Sequence, residues 1–151
     1  MDETSARDAV AANPHWYHSI EVAPGVVTPG QVDLRPTAGR LLPARMELVR
    51  ALDVGTFDGF WAFEMERRGA EVVAIDVPAL GAAEWPPVSR ARLEAQAAEW
   101  DMELGRGFGI ASALLGSEVD RVESDVYELS AEALSGPVAV AFSGAILLHL
   151  R

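Results

Sequence analysis

Short apolar segments alternate with helical segments along this chain, and this alternation limits the fold more than any other feature. The predicted strands are residues 47–54, 71–75, 118–124 and 138–142. Helical patterns cover residues 60–69 and 89–115, the second interrupted by glycines at 105–109. Strands separated by helices pair in parallel through right-handed crossovers, and strands apolar on both faces are covered on both faces. The sequence therefore predicts a doubly wound, mostly parallel α/β fold.

The composition divides the chain into three segments. Residues 1–14 are polar and rich in Ala, which predicts a flexible tail. Residues 15–46 contain aromatic, Gly and Pro residues typical of short extended pieces joined by turns. We expect an ordered N-terminal cap segment there, ending in a short link at 37–46. Residues 47–151 carry the alternating pattern and form the predicted ligand-binding domain.

The charge balance restricts the class of partner. The chain has 23 acidic residues against 12 basic ones, all of them Arg, and a net charge of -11. A surface this acidic repels a phosphate backbone, so a nucleic-acid partner is not expected. The chain has no cysteine, and its three histidines (His15, His18 and His149) lack metal-binding spacing. No metal site is therefore predicted.

The apolar runs indicate where the protein is found. The longest run, residues 137–150, contains Ser, Gly and His and is shorter than the ~20 residues that span a bilayer. The N-terminus has no basic stretch followed by an apolar one, so it does not read as a secretory signal. We expect no membrane partner and a soluble, cytoplasmic protein.

Acids and glycines stand directly after the predicted strands. They are Asp53 and the turn at 55–59 after the first strand, Asp76 after the second, Asp125 and Val126 after the third, and Ser143 after the fourth. In doubly wound sheets, ligands bind beyond the carboxyl ends of the strands. Glycine lets a ligand approach the backbone, and acids there can accept hydrogen bonds from hydroxyl or amine groups.

The glycine spacing in the turn argues against a dinucleotide. The fingerprint G-x-G-x-x-G, started at Gly55, needs glycine where the chain has Phe57 and Phe60. The pattern that remains is acid-x-Gly-x-x-x-Gly, from Asp53 to Gly59. This pattern suits a nucleoside cofactor that has no pyrophosphate.

Several stretches resemble one known family. ALDVGTFDG and VVAID look like the first two motifs of class I S-adenosylmethionine (SAM) dependent methyltransferases, which have a Rossmann-like fold. SDVYEL and FSGAILLHL look like the motifs of the third and fourth strands. With WYHSIEVAPGVVTPG, the pattern resembles a bacterial subgroup related to tRNA wobble-uridine methyltransferases and carboxymethyltransferases.

The resemblance implies roles for the residues at the strand ends. The methionine moiety of SAM would be held by Asp53, Gly55, Thr56, Phe57, Asp58 and Gly59. Asp76 would hold the ribose, Asp125 with Val126 the adenine, and Ser143 would complete the cofactor site. The resemblance thus predicts SAM-dependent methyl transfer to a small-molecule acceptor.

The chain departs from the family pattern in two ways. Phe57 replaces the middle glycine of the usual turn, which makes the turn bulkier. The family sheet has seven strands, and the helix after the fourth predicted strand reaches the last residue given, Arg151. We expect the missing strands to lie in a longer parent chain, or a second copy to cover the exposed sheet edge in a homodimer.

Catalytic candidates come from the cap segment. Tyr17 and His18, next to Trp16, are predicted either to form an aromatic lid carrying a general base or simply to pack the cap on the sheet. Trp85 is a candidate wall of an adenine pocket, and His149 is expected at a core edge or surface. Two functions stay open beside small-molecule methylation: tRNA modification of the wobble-uridine type, and a catalytically silent SAM-binding or assembly protein.

Overall fold

The computed structural model describes residues 2–83, 87–88, 90–99 and 102–144, and within them the chain forms five helices and six strands. In chain order they are α1 (Glu3–Ala11), β1 (Glu21–Ala23), β2 (Val26–Val27), α2 (Arg35–Leu41), β3 (Arg50–Val54), α3 (Phe60–Glu66), β4 (Glu71–Asp76), α4 (Arg90–Glu99), α5 (Arg106–Leu115), β5 (Asp120–Glu123) and β6 (Val140–Ser143). Short 3-10 turns at Leu80–Ala82 and Val126–Glu128 follow β4 and β5.

A parallel sheet of four strands organises the described part of the chain. Its order is β5-β4-β3-β6, and β1 pairs with β2 in a separate antiparallel hairpin. Ala51 of β3 pairs with Val72 on one side and with Val140 on the other. The chain builds outward from β3 through β4 to β5 and then returns to the opposite side of β3. The strand order therefore reverses between β3 and β6, which is where doubly wound sheets bind ligands.

The two faces of the sheet are covered very differently. On one face, Ala51 and Val72 pack with α3, α5, α1 and the cap segment in the larger hydrophobic core. On the other face, Leu52 and Val73 belong to a much smaller buried cluster with Val54, Ile75 and Leu134. Strands with apolar residues on both faces confirm the predicted α/β class.

The first residues of the chain correct a prediction. Residues 3–11 of the expected flexible tail form α1, whose first turn is capped by the Asp2 carboxylate accepting from the Ser5 N–H at 2.9 Å. Val10 is buried, and its carbonyl accepts the Trp16 indole N–H at 3.1 Å. The tail prediction failed because it rested on polar composition alone, whereas tertiary contacts to the cap segment order this helix.

Several element boundaries also differ from prediction. Helix α2 occupies the first half of the expected link at 37–46. The first strand of the sheet starts at Arg50 and not at 47, because Leu48 has a positive φ of 64° and is fully exposed. The long helical stretch breaks before Gly105, and the glycines of 107 and 109 lie inside α5. No helix among the described residues is both long enough and apolar enough to cross a bilayer.

Candidate functional site

A cleft of about 730 Å³ opens at the carboxyl ends of the parallel strands. On the sheet side it is lined by residues that directly follow or end the four strands, namely Gly55, Asp76, Asp125, Val126 and Ser143. The opposite wall is formed by the cap segment and α2, through Tyr17, His18, Val32, Leu34 and Leu41. The fold thus brings together both groups of residues that the sequence singled out.

The turn after β3 is fixed to the end of β4. The N–H groups of Gly55 and Thr56 both donate to the Ile75 carbonyl at 3.0 Å, and Gly55 has a φ of 72°. Phe57 also has a positive φ, 52°, and its N–H donates to the Asp76 carboxylate at 2.8 Å. A non-glycine residue tolerates this backbone region only when surrounding contacts hold it there, and the Asp76 hydrogen bond is one of them.

Asp53 is enclosed behind the cleft wall. It is only 2% exposed, it does not line the cleft, and its carboxylate accepts the Ala62 N–H near the start of α3 at 3.1 Å. Burial raises the pKa of Asp53 to about 7. In this structure Asp53 positions the start of α3, and its contact with a methionine moiety stays a prediction.

Asp58 is likewise enclosed, and it ties the turn to the cap segment. One carboxylate oxygen accepts the backbone N–H groups of Tyr17 at 2.9 Å and His18 at 2.8 Å. The other lies 2.5 Å from Nδ1 of His18. Asp58 is 3% exposed and its oxygens bond to the cap, so it holds the cap on the turn, and its contact with the cofactor stays a prediction.

The remaining turn residues divide between the cleft and the core. Gly55 and Phe57 line the cleft, whereas Thr56 is buried at 2% exposure. Gly59 has a φ of 92°, and a Cβ there would lie 2.4 Å from the Phe63 ring. Thr56 and Gly59 therefore serve the tight packing of the turn on α3, and their contacts with a cofactor stay predictions.

Asp76 lies at the cleft, as predicted. Its carboxylate is half-buried and accepts the N–H groups of Phe57 at 2.8 Å and Val77 at 2.9 Å. Asp76 thus both holds the turn and presents negative charge to the cleft.

The segment after β5 lines the cleft beside Asp76. The Ser124 N–H donates to the Asp76 carbonyl at 2.9 Å, which joins the two strand ends. The Asp125 carboxylate is half-buried and accepts the Tyr127 N–H at 3.0 Å, and Val126 offers an apolar surface. The structure therefore gathers Asp76, Asp125 and Val126 on one side of the cleft.

The end of β6 closes the other side of the cleft with aromatic residues. The rings of Trp61 and Phe142 lie 4.4 Å apart, and both line the cleft together with Ser143. Trp61 packs in the larger hydrophobic core at 7% exposure and also forms cleft wall. Trp85 and His149, which also carried predictions, lie outside the described residues.

The cap wall depends on Thr28 and Gly30, for which the sequence predicted no part in the site. The Thr28 hydroxyl donates to the His18 carbonyl at 2.7 Å and accepts the Ile20 N–H at 2.8 Å. At Gly30, a Cβ would lie 2.0 Å from the carbonyl carbon of His18. The dipeptide Pro29-Gly30 signalled a turn, but nothing in its sequence signalled such a close approach of two backbone segments.

Charge is distributed unevenly around the cleft. Among the described residues that line it, none is Arg, while Asp76 and Asp125 both face it, and the sequence has no Lys. The potential inside the cleft is therefore negative, which disfavours ligands that carry phosphate groups. The described residues also contain no group of three or more His, Asp or Glu side chains that could hold a metal ion.

Comparisons with protein-family models, with curated proteins and with solved structures found no match to this chain.

Proposed function

We propose that the cleft binds S-adenosylmethionine and that the protein transfers its methyl group to a small molecule. One observation carries this proposal: two half-buried acids, Asp76 and Asp125, stand at the ends of neighbouring strands in a cleft whose described lining residues include no Arg. A nucleoside that carries no phosphate group fits this set of side chains.

The residues present fit the parts of this cofactor. Asp76 is the acceptor for the ribose hydroxyls, and Asp125 is the acceptor for the exocyclic amine of adenine. Val126 packs on the base, and Gly55 gives a ligand access to the backbone of the turn. The positive sulfonium is favoured by the negative potential of the cleft, whereas the pyrophosphate of NAD is repelled.

Methyl transfer demands little chemistry from such a site. When bound, the cofactor supplies an activated methyl group on a sulfur that is already an excellent leaving group. The chain contributes by orienting an acceptor and excluding water, and the apolar wall of Val32, Leu34 and Leu41 is suited to both tasks. The alternative of tRNA modification is disfavoured because the net charge of -11 repels a phosphate backbone, and none of the described residues that line the cleft is an Arg that could bind one.

Titration calorimetry tests the choice of cofactor. SAM or its demethylated product, S-adenosylhomocysteine, is expected to bind, and NAD is not. Asp120→Asn changes an exposed acid at the amino end of β5, remote from the cleft, and should keep the wild-type preference for SAM. Measurable affinity for NAD together with none for SAM would overturn the proposal.

A further inference from the structure

The buried side chains of His18 and Asp58 join the cap segment to the turn after β3. His18 is 7% exposed and lines the cleft, and its Nδ1 lies 2.5 Å from the Asp58 carboxylate. Asp58 cannot turn away, because its second oxygen accepts the backbone N–H groups of Tyr17 and His18. The position of the imidazole ring is therefore set by the backbone itself.

The Asp58 carboxylate determines which ring nitrogen of His18 carries the proton. An ionised carboxylate only accepts hydrogen bonds, so Nδ1 must be the donor in the neutral ring. Nε2 is then left with its lone pair, and it makes no hydrogen bond to any residue within the described ranges. The ring is held flat against Phe60, with centroids 5.3 Å apart and an interplanar angle of 24°. Such a fixed tautomer is the arrangement that a general base requires.

The surroundings of His18 indicate what kind of acceptor it serves. Val32, Leu34, Leu41, Trp61 and Phe142 line the same cleft as His18. None of the described residues that line the cleft carries a positive charge. A carboxylate or phosphate on the acceptor would have no counter-charge there, so this part of the cleft suits an uncharged, largely apolar molecule.

Resting on the proposed methyltransferase function, we propose that His18 is the general base and that the acceptor is an uncharged apolar molecule with a hydroxyl or amine group. The acceptor proton passes to Nε2 of His18, the electron pair left on oxygen or nitrogen forms the new bond to the methyl carbon, and the pair of the broken carbon–sulfur bond stays on sulfur. His18 becomes an imidazolium cation, which the Asp58 carboxylate stabilises.

Three titratable groups surround the His18 ring. Asp58 bonds to it directly, the Tyr17 ring lies edge-on with its centroid 4.6 Å away, and Asp53 interacts with His18 electrostatically. Tyr17 also lines the cleft and is the competing candidate for the base. The test must therefore separate Tyr17 from His18.

Nuclear magnetic resonance of the 15N-labelled histidine rings gives a readout that is independent of activity. The His18 signals are assigned by their loss in His18→Asn, a change that keeps a side-chain N–H near the Nδ1 position to donate to Asp58. We expect neutral His18 to carry its proton on Nδ1. A proton on Nε2 would overturn the proposal.

Binding and transfer assays complete the test, with labelled SAM and 2-naphthol as an uncharged hydroxyl probe. His18→Asn is expected to keep SAM affinity within about threefold and to slow transfer to 2-naphthol by about 100-fold or more. His15→Asn, which changes a histidine outside the cleft, is expected to leave both unchanged. Transfer to 6-hydroxy-2-naphthoate, which carries the same hydroxyl group and an added carboxylate, is expected to be at least tenfold slower than transfer to 2-naphthol.

The outcomes separate this proposal from the one on which it rests. A wild-type protein that does not bind SAM overturns the proposed function itself. If SAM binds, three results overturn only the present proposal: no transfer to 2-naphthol, equal rates in His18→Asn and wild type, or a loss in Tyr17→Phe as large as that in His18→Asn.

Discussion

The turn after β3 and the ends of β4 and β5 use the same residue type in opposite ways. On the turn side, Asp53 and Asp58 are 2% and 3% exposed, and backbone N–H groups and His18 occupy their oxygens. On the side of β4 and β5, Asp76 and Asp125 are half-buried and face the cleft. All four acids lie at or shortly after the carboxyl end of a strand. The comparison teaches that position near a strand end locates an acid, whereas burial decides whether it serves the fold or a ligand.

The strongest test of this comparison is Asp58→Ala. It leaves two backbone N–H groups and the buried His18 without their acceptor, so we expect a loss of about 3–5 kcal/mol in the free energy of unfolding. Asp125→Ala removes only the cap of a short 3-10 turn and is expected to cost about 1 kcal/mol. Urea denaturation measures both, and equal losses would remove the distinction between the two sides.

The pH dependence of stability distinguishes the sides in a second way. Burial raises the pKa of Asp53 from 3.8 to about 7, so the folded chain keeps a proton that the unfolded chain loses at lower pH. The stabilisation from this group is present below about pH 4 and is lost as the pH rises towards 7, by roughly 4 kcal/mol in all. As the pH rises from 5 to 8, urea denaturation should show that Asp53→Asn gains stability relative to wild type. A constant difference between them would contradict the raised pKa.

Asp76→Ala tests the ligand side. We expect SAM affinity to fall by about 2–3 kcal/mol, which is tens to hundreds of fold, because two hydroxyl acceptors are lost. Calorimetry measures the affinity, and circular dichroism checks the fold because Asp76 also accepts the Phe57 N–H. Asp120→Ala, at the amino end of β5, serves as the control. Unchanged affinity in a folded Asp76→Ala protein would reduce this acid to a structural role.

A pair of glycine substitutions sharpens the comparison at the cap wall. In Gly30→Ala, the added Cβ would lie 2.0 Å from the carbonyl carbon of His18, and the free energy of unfolding is expected to fall by about 1–3 kcal/mol. In Gly39→Ala, the added Cβ meets nothing within 4 Å inside α2, and the free energy of unfolding is expected to rise by up to about 1 kcal/mol. Thermal denaturation should therefore show shifts of opposite sign, and a neutral Gly30→Ala would mean that the cap can move off the turn.

The sheet was predictable from sequence because its signals are local. Strand β4 was expected at residues 71–75 and occupies Glu71–Asp76, since a continuous apolar run between charged ends is a strong local pattern. Helix α1 was not predictable: its sequence is polar apart from Ala and Val, and it is ordered by contacts such as the Trp16 side chain bonding to Val10. Contacts between distant residues leave no periodic trace in either partner.

The site was predictable in position but only partly in role. Because ligands bind at the carboxyl ends of parallel strands, Asp76, Asp125 and Val126 were expected at the cleft, and they line it. The same rule gave no indication that Asp58 accepts hydrogen bonds from a segment about forty residues earlier in the chain. The contact between Asp58 and His18 can be seen only in the three-dimensional structure.

The strand order has a consequence for how the protein is made. Strands β3 and β4 are close in sequence and can pair early during synthesis, whereas Ala51 of β3 must wait for Val140 of β6. Pairings between such distant segments form slowly, because a long loop must close before its contacts contribute. Trp61 and Phe142 meet only when that pairing forms. The cleft is thus among the last parts of the molecule to take shape, so a nascent chain without β6 has the acids of the site but no complete cleft for a ligand to stabilise.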